Sequence, residues 1–289
     1  YTLEMERQRP FDADKQDPYH INCYEAQRNQ MEFVEARITR SSIRSRQDIV
    51  LVGSDQVWNP FFNKGGRFWA KEFSGKKIAY AASFGDKGND DLSDAYRGAV
   101  THFVSDFDAV SVREPQGSQI VQENTGQAAS VTCDPVLLHE VHFYEKIASC
   151  VPSDRTQFWF GYMIKDEALE KDVSRKAIEL DIPFFNLNMY REVLSNPEVL
   201  KNQIVGKRYP KVEEWLARIR DAEIVFTSSF HAVVFSLLFH TDFYYLASEG
   251  HIDSRIGELL AKTSALDRAA VSLDKIDVHE NGIDWEKVD

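Results

Sequence analysis

The chain has 289 residues, 43% of them hydrophobic and 12% aromatic, enough for one large core or two ordinary ones. A formal net charge of -12 argues against nucleic acid and anionic membrane surfaces as partners, since their general binders gather cations. No apolar run approaches the length of a membrane span, and Cys23, Cys133 and Cys150 share no CxxC spacing, the pattern of reduced thiols in a cytoplasmic protein.

Residues 1–29 are polar around Pro10 and Pro18 and are expected to be irregular. Over 30–39, Met31, Val34 and Ile38 recur at helical spacing. The apolar run 49–52 reads as a buried strand stopped by Gly53, followed by the loop GSDQVWNP at 53–60. A second strand is expected at 78–82, ending in Ser83-Phe84-Gly85, and a helix over 93–107. Residues 109–112 form a third strand that ends at Arg113. Pro115 then sits where a helix begins, with Gly126 just past its end. A strand at 130–132 closes on Cys133-Asp134-Pro135.

The second half repeats this style. Strands are expected at 158–164, 183–187 and 243–246, and helices at 167–180, 212–220 and 252–261. Residues 223–239, EIVFTSSFHAVVFSLLF, read as a buried strand, a turn of hydroxyls and a buried helix. The tail is mixed, with a short helix around Trp285. Strands alternating with helices argue for an α/β chain with parallel sheets covered on both faces. The polar stretch 134–142 is the best domain break. Two Rossmann-like domains are expected to face each other across a cleft, where strand ends meet a ligand.

Several strand ends carry polar residues suited to such a site. His231 lies at a helix start, where free N–H groups and the helix dipole favour an anion; the alternative is a buried histidine bonded to a carbonyl. Ser228 and Ser229 are hydroxyl donors to a phosphate or simply helix caps. Arg113 has the fork that suits carboxylate or phosphate, or it pairs with Glu114. Asp55 is a base, an orienter or the centre of an Asx turn. Trp58 stacks on a sugar or packs inside, and Arg255 opens the helix that contains 256–260. His139-x-x-His142 has no supporting Cys or HExxH pattern, so it reads as a solvated helix start and no metal is expected. GxGxxG and GxxxxGK[ST] are both absent.

The segments VGSDQVWNP (52–60), KKIAYAASFG (76–85), FDAVSVREPQGSQIV (107–121), VTCDPVLL (131–138), IVFTSSFHAVVFSLLF (224–239) and SRIGELL (254–260) occur in one order and spacing over residues 48–262. Together they resemble the polysaccharide pyruvyl transferase family. The resemblance implies a glycosyltransferase-B-like fold of two Rossmann-like domains. These would be 1–138, without a recognisable opening βα element, and 139–262, carrying the donor-site helix; a tail, 263–289, would pack back on the first domain. It also implies a cytoplasmic enzyme of the bacterial cell envelope, peripheral at the inner membrane. Such an enzyme moves a pyruvyl group from phosphoenolpyruvate to sugar hydroxyls, making a ketal on an exopolysaccharide or its lipid-linked precursor. Phosphoenolpyruvate is then a co-substrate, with no cofactor and no metal. On this reading His231 and Asp55 are catalytic. Arg113, Ser228, Ser229, His231, Ser83 and Arg255 bind the donor, and Trp58 and Asn59 meet the acceptor. Where many members carry an acid or an arginine before the histidine, this chain has Ser228 and Ser229. The alternatives are a glycosyltransferase using a nucleotide sugar, or a non-catalytic sugar-binding relative.

Overall fold

A computed structural model describes residues 49–71, 73–153, 157–164, 167–187, 212–247, 251–276, 278 and 282–288. The helix expected at 30–39 and the polar stretch before it lie outside these residues. The chain divides into two compact units between Leu138 and His139.

In the first unit, β1 (Ile49–Val52), β2 (Lys76–Ala82), β3 (Ala109–Val112) and β4 (Ser130–Val131) form a parallel sheet in that order. Helix α1 (Asp94–Val104) starts where the Ser93 hydroxyl accepts from the Tyr96 N–H. Helix α2 (Pro115–Thr125) has Pro at its start and ends on Gly126 at φ 73, the two signals its sequence carries. Val100 and Val104 of α1 and Ile120 and Val121 of α2 bury against Val52, Ala79 and Val112 of the sheet. The core is extended by aromatic rings, with Trp58 packed against Trp69, Phe84 and Phe107. Gly53 is fixed by geometry: at φ 130, a Cβ there would stand 2.0 Å from the Tyr80 carbonyl oxygen.

Tyr96 joins α1 to this core by donating its hydroxyl to the Trp58 carbonyl at 2.8 Å. Burial pushes its phenol up from the ordinary 10.0 to about 12, offset in part by the Asn63 side chain. A raised folded-state value means stability that is full below pH 10.0 and is lost as pH rises through about 12. Tyr96→Phe should therefore flatten the alkaline limb of a stability-versus-pH curve. An unchanged limb would show that Tyr96 ionises as freely in the fold as outside it.

The second unit holds a five-stranded parallel sheet in the order β6-β5-β7-β8-β9. Its strands are β5 (Trp159–Tyr162), β6 (Phe184–Asn186), β7 (Ile224–Thr227), β8 (Phe243–Leu246) and β9 (Ala269–Ala270). Its helices are α3 (Val141–Ala148), α4 (Glu167–Glu179), α5 (Val212–Asp221), α6 (Phe230–Leu238) and α7 (Ser254–Lys262). All four residues of β7 and of β8 are buried, as central strands of a sheet covered on both faces require. One face carries Trp159, Phe184, Ile224, Phe226 and Tyr244 against Leu169, Val173 and Ala177 of α4.

Helix α3 begins at Val141, with Tyr144 and Ala148 buried and His139 and His142 exposed. The tail, expected on the first unit, packs on the second where it is described. There β9 pairs with β8, Trp285 stacks on His240 at 4.9 Å, and the Ile283 N–H donates to Asp242. The cause is an unfilled edge: β8 still offers its backbone groups after β7 has paired, and residues 269–270 take them. Among the described residues no helix is long and apolar enough to cross a membrane, and no cluster of three acidic, histidine or cysteine side chains could hold a metal ion.

Candidate active site

The strand ends of the first unit are joined by charge. Arg113 leaves the end of β3 and is almost wholly enclosed, its side chain 4% exposed. Its Nε donates to Glu114 Oε1 at 2.8 Å and its Nη1 to Asp134 Oδ2 at 2.9 Å, and its Nη2 lies 3.6 Å from Asp55 Oδ1. Glu114 and Asp134 are as deeply buried as the arginine. The Ser54 hydroxyl donates to Asp134 Oδ2, and the Ser83 hydroxyl donates to Glu114 Oε1 while accepting from the Gly85 N–H. One guanidinium thus ties together the loops that follow all four strands.

Charges removed from water persist only when paired, and this pairing redefines Arg113. Its fork, expected to take the donor's carboxylate or phosphate, is turned onto carboxylates of its own chain, two of them buried. Ser83, also expected on the donor, is fully buried inside the same network. Asp55 differs from both. Its backbone sits at φ 56, its carbonyl accepts from Ser83 and Val57 N–H groups, and its side chain is 64% exposed. No Asx turn forms; the carboxylate points out from the loop, anchored on Arg113.

The acceptor residues are corrected as well. Trp58 is 0% exposed, its ring held among three other aromatic side chains, so it has no face to give a sugar. Asn59 is consumed by its turn: Nδ2 donates to Gln56 Oε1 and Oδ1 accepts from the Phe61 N–H. Gly85 makes room for this pair, since a Cβ at its φ of 74 would lie 2.4 Å from Asn59 Nδ2.

In the second unit, β7 delivers Thr227 to the start of α6. The Thr227 hydroxyl bridges, donating to the Tyr162 carbonyl and accepting from the Ser229 N–H. Ser228 Oγ accepts from the Ile164 N–H at 2.8 Å, which locks the ends of β5 and β7 together. Ser229 occupies the cap position of α6, yet its side chain makes no capping hydrogen bond. The expected hydroxyl cap is therefore not formed. His231 stands in the first turn, half-buried, edge-on to the Phe230 ring at 5.5 Å. It is not among the residues that α6 buries, 232–237.

Arg255 lies on α7, which packs beside α6. Its guanidinium forks onto Asp253, the residue that also caps α7. Ser228, Ser229 and His231 are thus assembled by one β7–α6 turn, whereas Asp55, Ser83 and Arg113 are assembled by the first sheet. Glu114 was read from the sequence as a possible ion-pair partner of Arg113, and that pair forms; Asp134 and Ser54 were not singled out. A local signal existed only for Glu114, adjacent to Arg113; Asp134 is 21 residues away and joins by folding alone.

The family model of polysaccharide pyruvyl transferases matches residues 11–250. It begins within the polar stretch 1–29, in which no opening element was read. A search of curated proteins gives no match. Among solved structures, an O-GlcNAc transferase mutant from Thermobaculum terrenum aligns with a TM-score of 0.39 at 11% identity, covering 79% of this chain and 43% of that one. The chain therefore spans less than half the length of that structure. With the family's model covering most of its length and a histidine-bearing strand-to-helix turn in place, the chain belongs to the polysaccharide pyruvyl transferase family.

Proposed function

We propose that this chain transfers the pyruvyl group of phosphoenolpyruvate to two hydroxyls of a sugar, forming a ketal on a cell-envelope polysaccharide or its lipid-linked precursor in the cytoplasm. One observation carries the assignment of the donor site: His231 is half-exposed in the first turn of α6, directly beyond the end of β7. Free N–H groups at such a helix start attract a phosphate or carboxylate, and the Ser229 hydroxyl is not spent on the cap.

The chemistry requires a proton for the donor's methylene carbon, which becomes a methyl group. The first sugar hydroxyl bonds to the adjacent carbon and gives up its proton; the second displaces inorganic phosphate from that carbon. His231 is assigned the proton delivery or the phosphate. Ser228 and Ser229 belong to the same turn and are assigned the phosphate side.

The test is incubation with phosphoenolpyruvate and a panel of methyl glycosides, following phosphate release and the ketal methyl signal by NMR. The expected result is one phosphate per ketal. Binding of nucleoside diphosphates in preference to phosphoenolpyruvate, with no ketal from any sugar, would overturn the assignment in favour of glycosyl transfer.

A further inference from the structure

Asn186 ends β6, at the carboxyl edge of the second sheet, and is 3% exposed. Its side chain can donate twice and accept twice, yet neither Nδ2 nor Oδ1 has a hydrogen-bond partner among the described residues. Native interiors seldom carry such a group without a use for it. Its position is also built. Asn186 pairs with Gly161 of β5, and a Cβ on Gly161 would stand 2.9 Å from Asn186 Oδ1 and 2.5 Å from the Phe184 ring. The strand gives up a side chain so that the amide can lie over it. Trp159 shares this face, and its indole N–H likewise has no partner among the described residues.

Helix α4 covers the face and places Glu170, 1% exposed, on its buried side. A neutral group that both donates and accepts fits the amide, and a sugar hydroxyl is such a group. Ligands of parallel α/β sheets enter at the carboxyl ends of strands, where Asn186 sits.

We propose that Asn186 reads a hydroxyl of the acceptor saccharide, a site distinct from the β7–α6 turn. This rests on the pyruvyl-transfer reading for the identity of the ligand. Asn186→Leu removes an unpaired polar group from the ligand-free protein, so its melting temperature should hold or rise. Its KM for the glycoside should increase about tenfold, the worth of one good hydrogen bond. The KM for phosphoenolpyruvate and kcat at saturating sugar should stay near wild type. Asn186→Ala, which introduces no bulk, should reproduce the sugar effect.

Saturation-transfer NMR with methyl glucoside, galactoside and mannoside reads sugar binding without turnover and should fall in step. An unchanged sugar KM in both variants, with wild-type turnover intact, overturns the role of Asn186 alone. A loss of stability in both variants shows the amide to be satisfied within the fold and also overturns it. Wild-type protein that binds none of the glycosides and makes no ketal overturns the functional reading as well.

Discussion

Arg113→Ala should cost the first unit about 3–5 kcal/mol, the usual penalty for stranding a buried charge. Two carboxylates, Glu114 and Asp134, would remain enclosed without the cation that faces both. Against a typical total of roughly 5–15 kcal/mol for a domain, such a loss approaches unfolding at ordinary temperature. Arg113→Lys should recover only part, because one ammonium cannot reproduce a fork aimed at Glu114, Asp134 and Asp55 in three directions. Urea unfolding followed by tryptophan fluorescence measures this well, since Trp58 and Trp69 lie in the same unit's core. A near-neutral Arg113→Ala would mean that the pairing is loose. The arginine would then be available to a ligand after all, and its first-expected part on the donor would stand again.

The strand-helix alternation was legible because each apolar run is bounded by its own local chemistry. Gly53 stops β1, Pro115 and Gly126 bracket α2, and hydroxyls separate β7 from α6. These signals act over a few residues and survive without tertiary context. Helix α3 was legible only as a solvated start near His139 and His142, since only Tyr144 and Ala148 of its residues are buried. Strand β9, two residues long, exists only because β8 offers an edge to it.

The candidate site divides in the same way. His231 was visible as the one polar side chain at the start of an apolar helix, and the structure keeps it at that start, not among the residues that α6 buries. Arg113, Ser83, Trp58 and Asn59 were also visible as polar or aromatic residues near strand ends. What could not be read was which way they face. Whether a loop residue points to ligand or to its own chain depends on charge partners such as Asp134 and on ring neighbours such as Trp69 and Phe107. Those partners are brought in by the sheet, from loops that follow other strands. Asp55 alone of the first unit's candidates kept an outward-facing side chain, and it did so because Arg113 holds it from below.

His231→Ala should lower kcat by about 10²–10⁴-fold, the range for a positioned proton-transfer group, while leaving the melting temperature close to wild type. The stability half of this expectation follows from packing. Helix α6 buries residues 232–237, and the Val233 N–H closes its first turn on the Ser229 carbonyl at 3.1 Å. Truncating the imidazole removes none of these contacts. A core histidine would behave in the opposite way, with a large loss of stability and activity falling only as the fold does. Asn at the same position separates the two chemical parts His231 could play. An amide can hold a phosphate oxygen but cannot deliver a proton near neutral pH, so His231→Asn should preserve much of the KM for phosphoenolpyruvate and still fail in kcat. If Asn instead restores turnover, the histidine is a phosphate ligand, and proton delivery to the methylene carbon belongs to another group. Near-wild-type turnover in His231→Ala would remove the residue from the chemistry altogether and leave the β7–α6 turn as a binding element only.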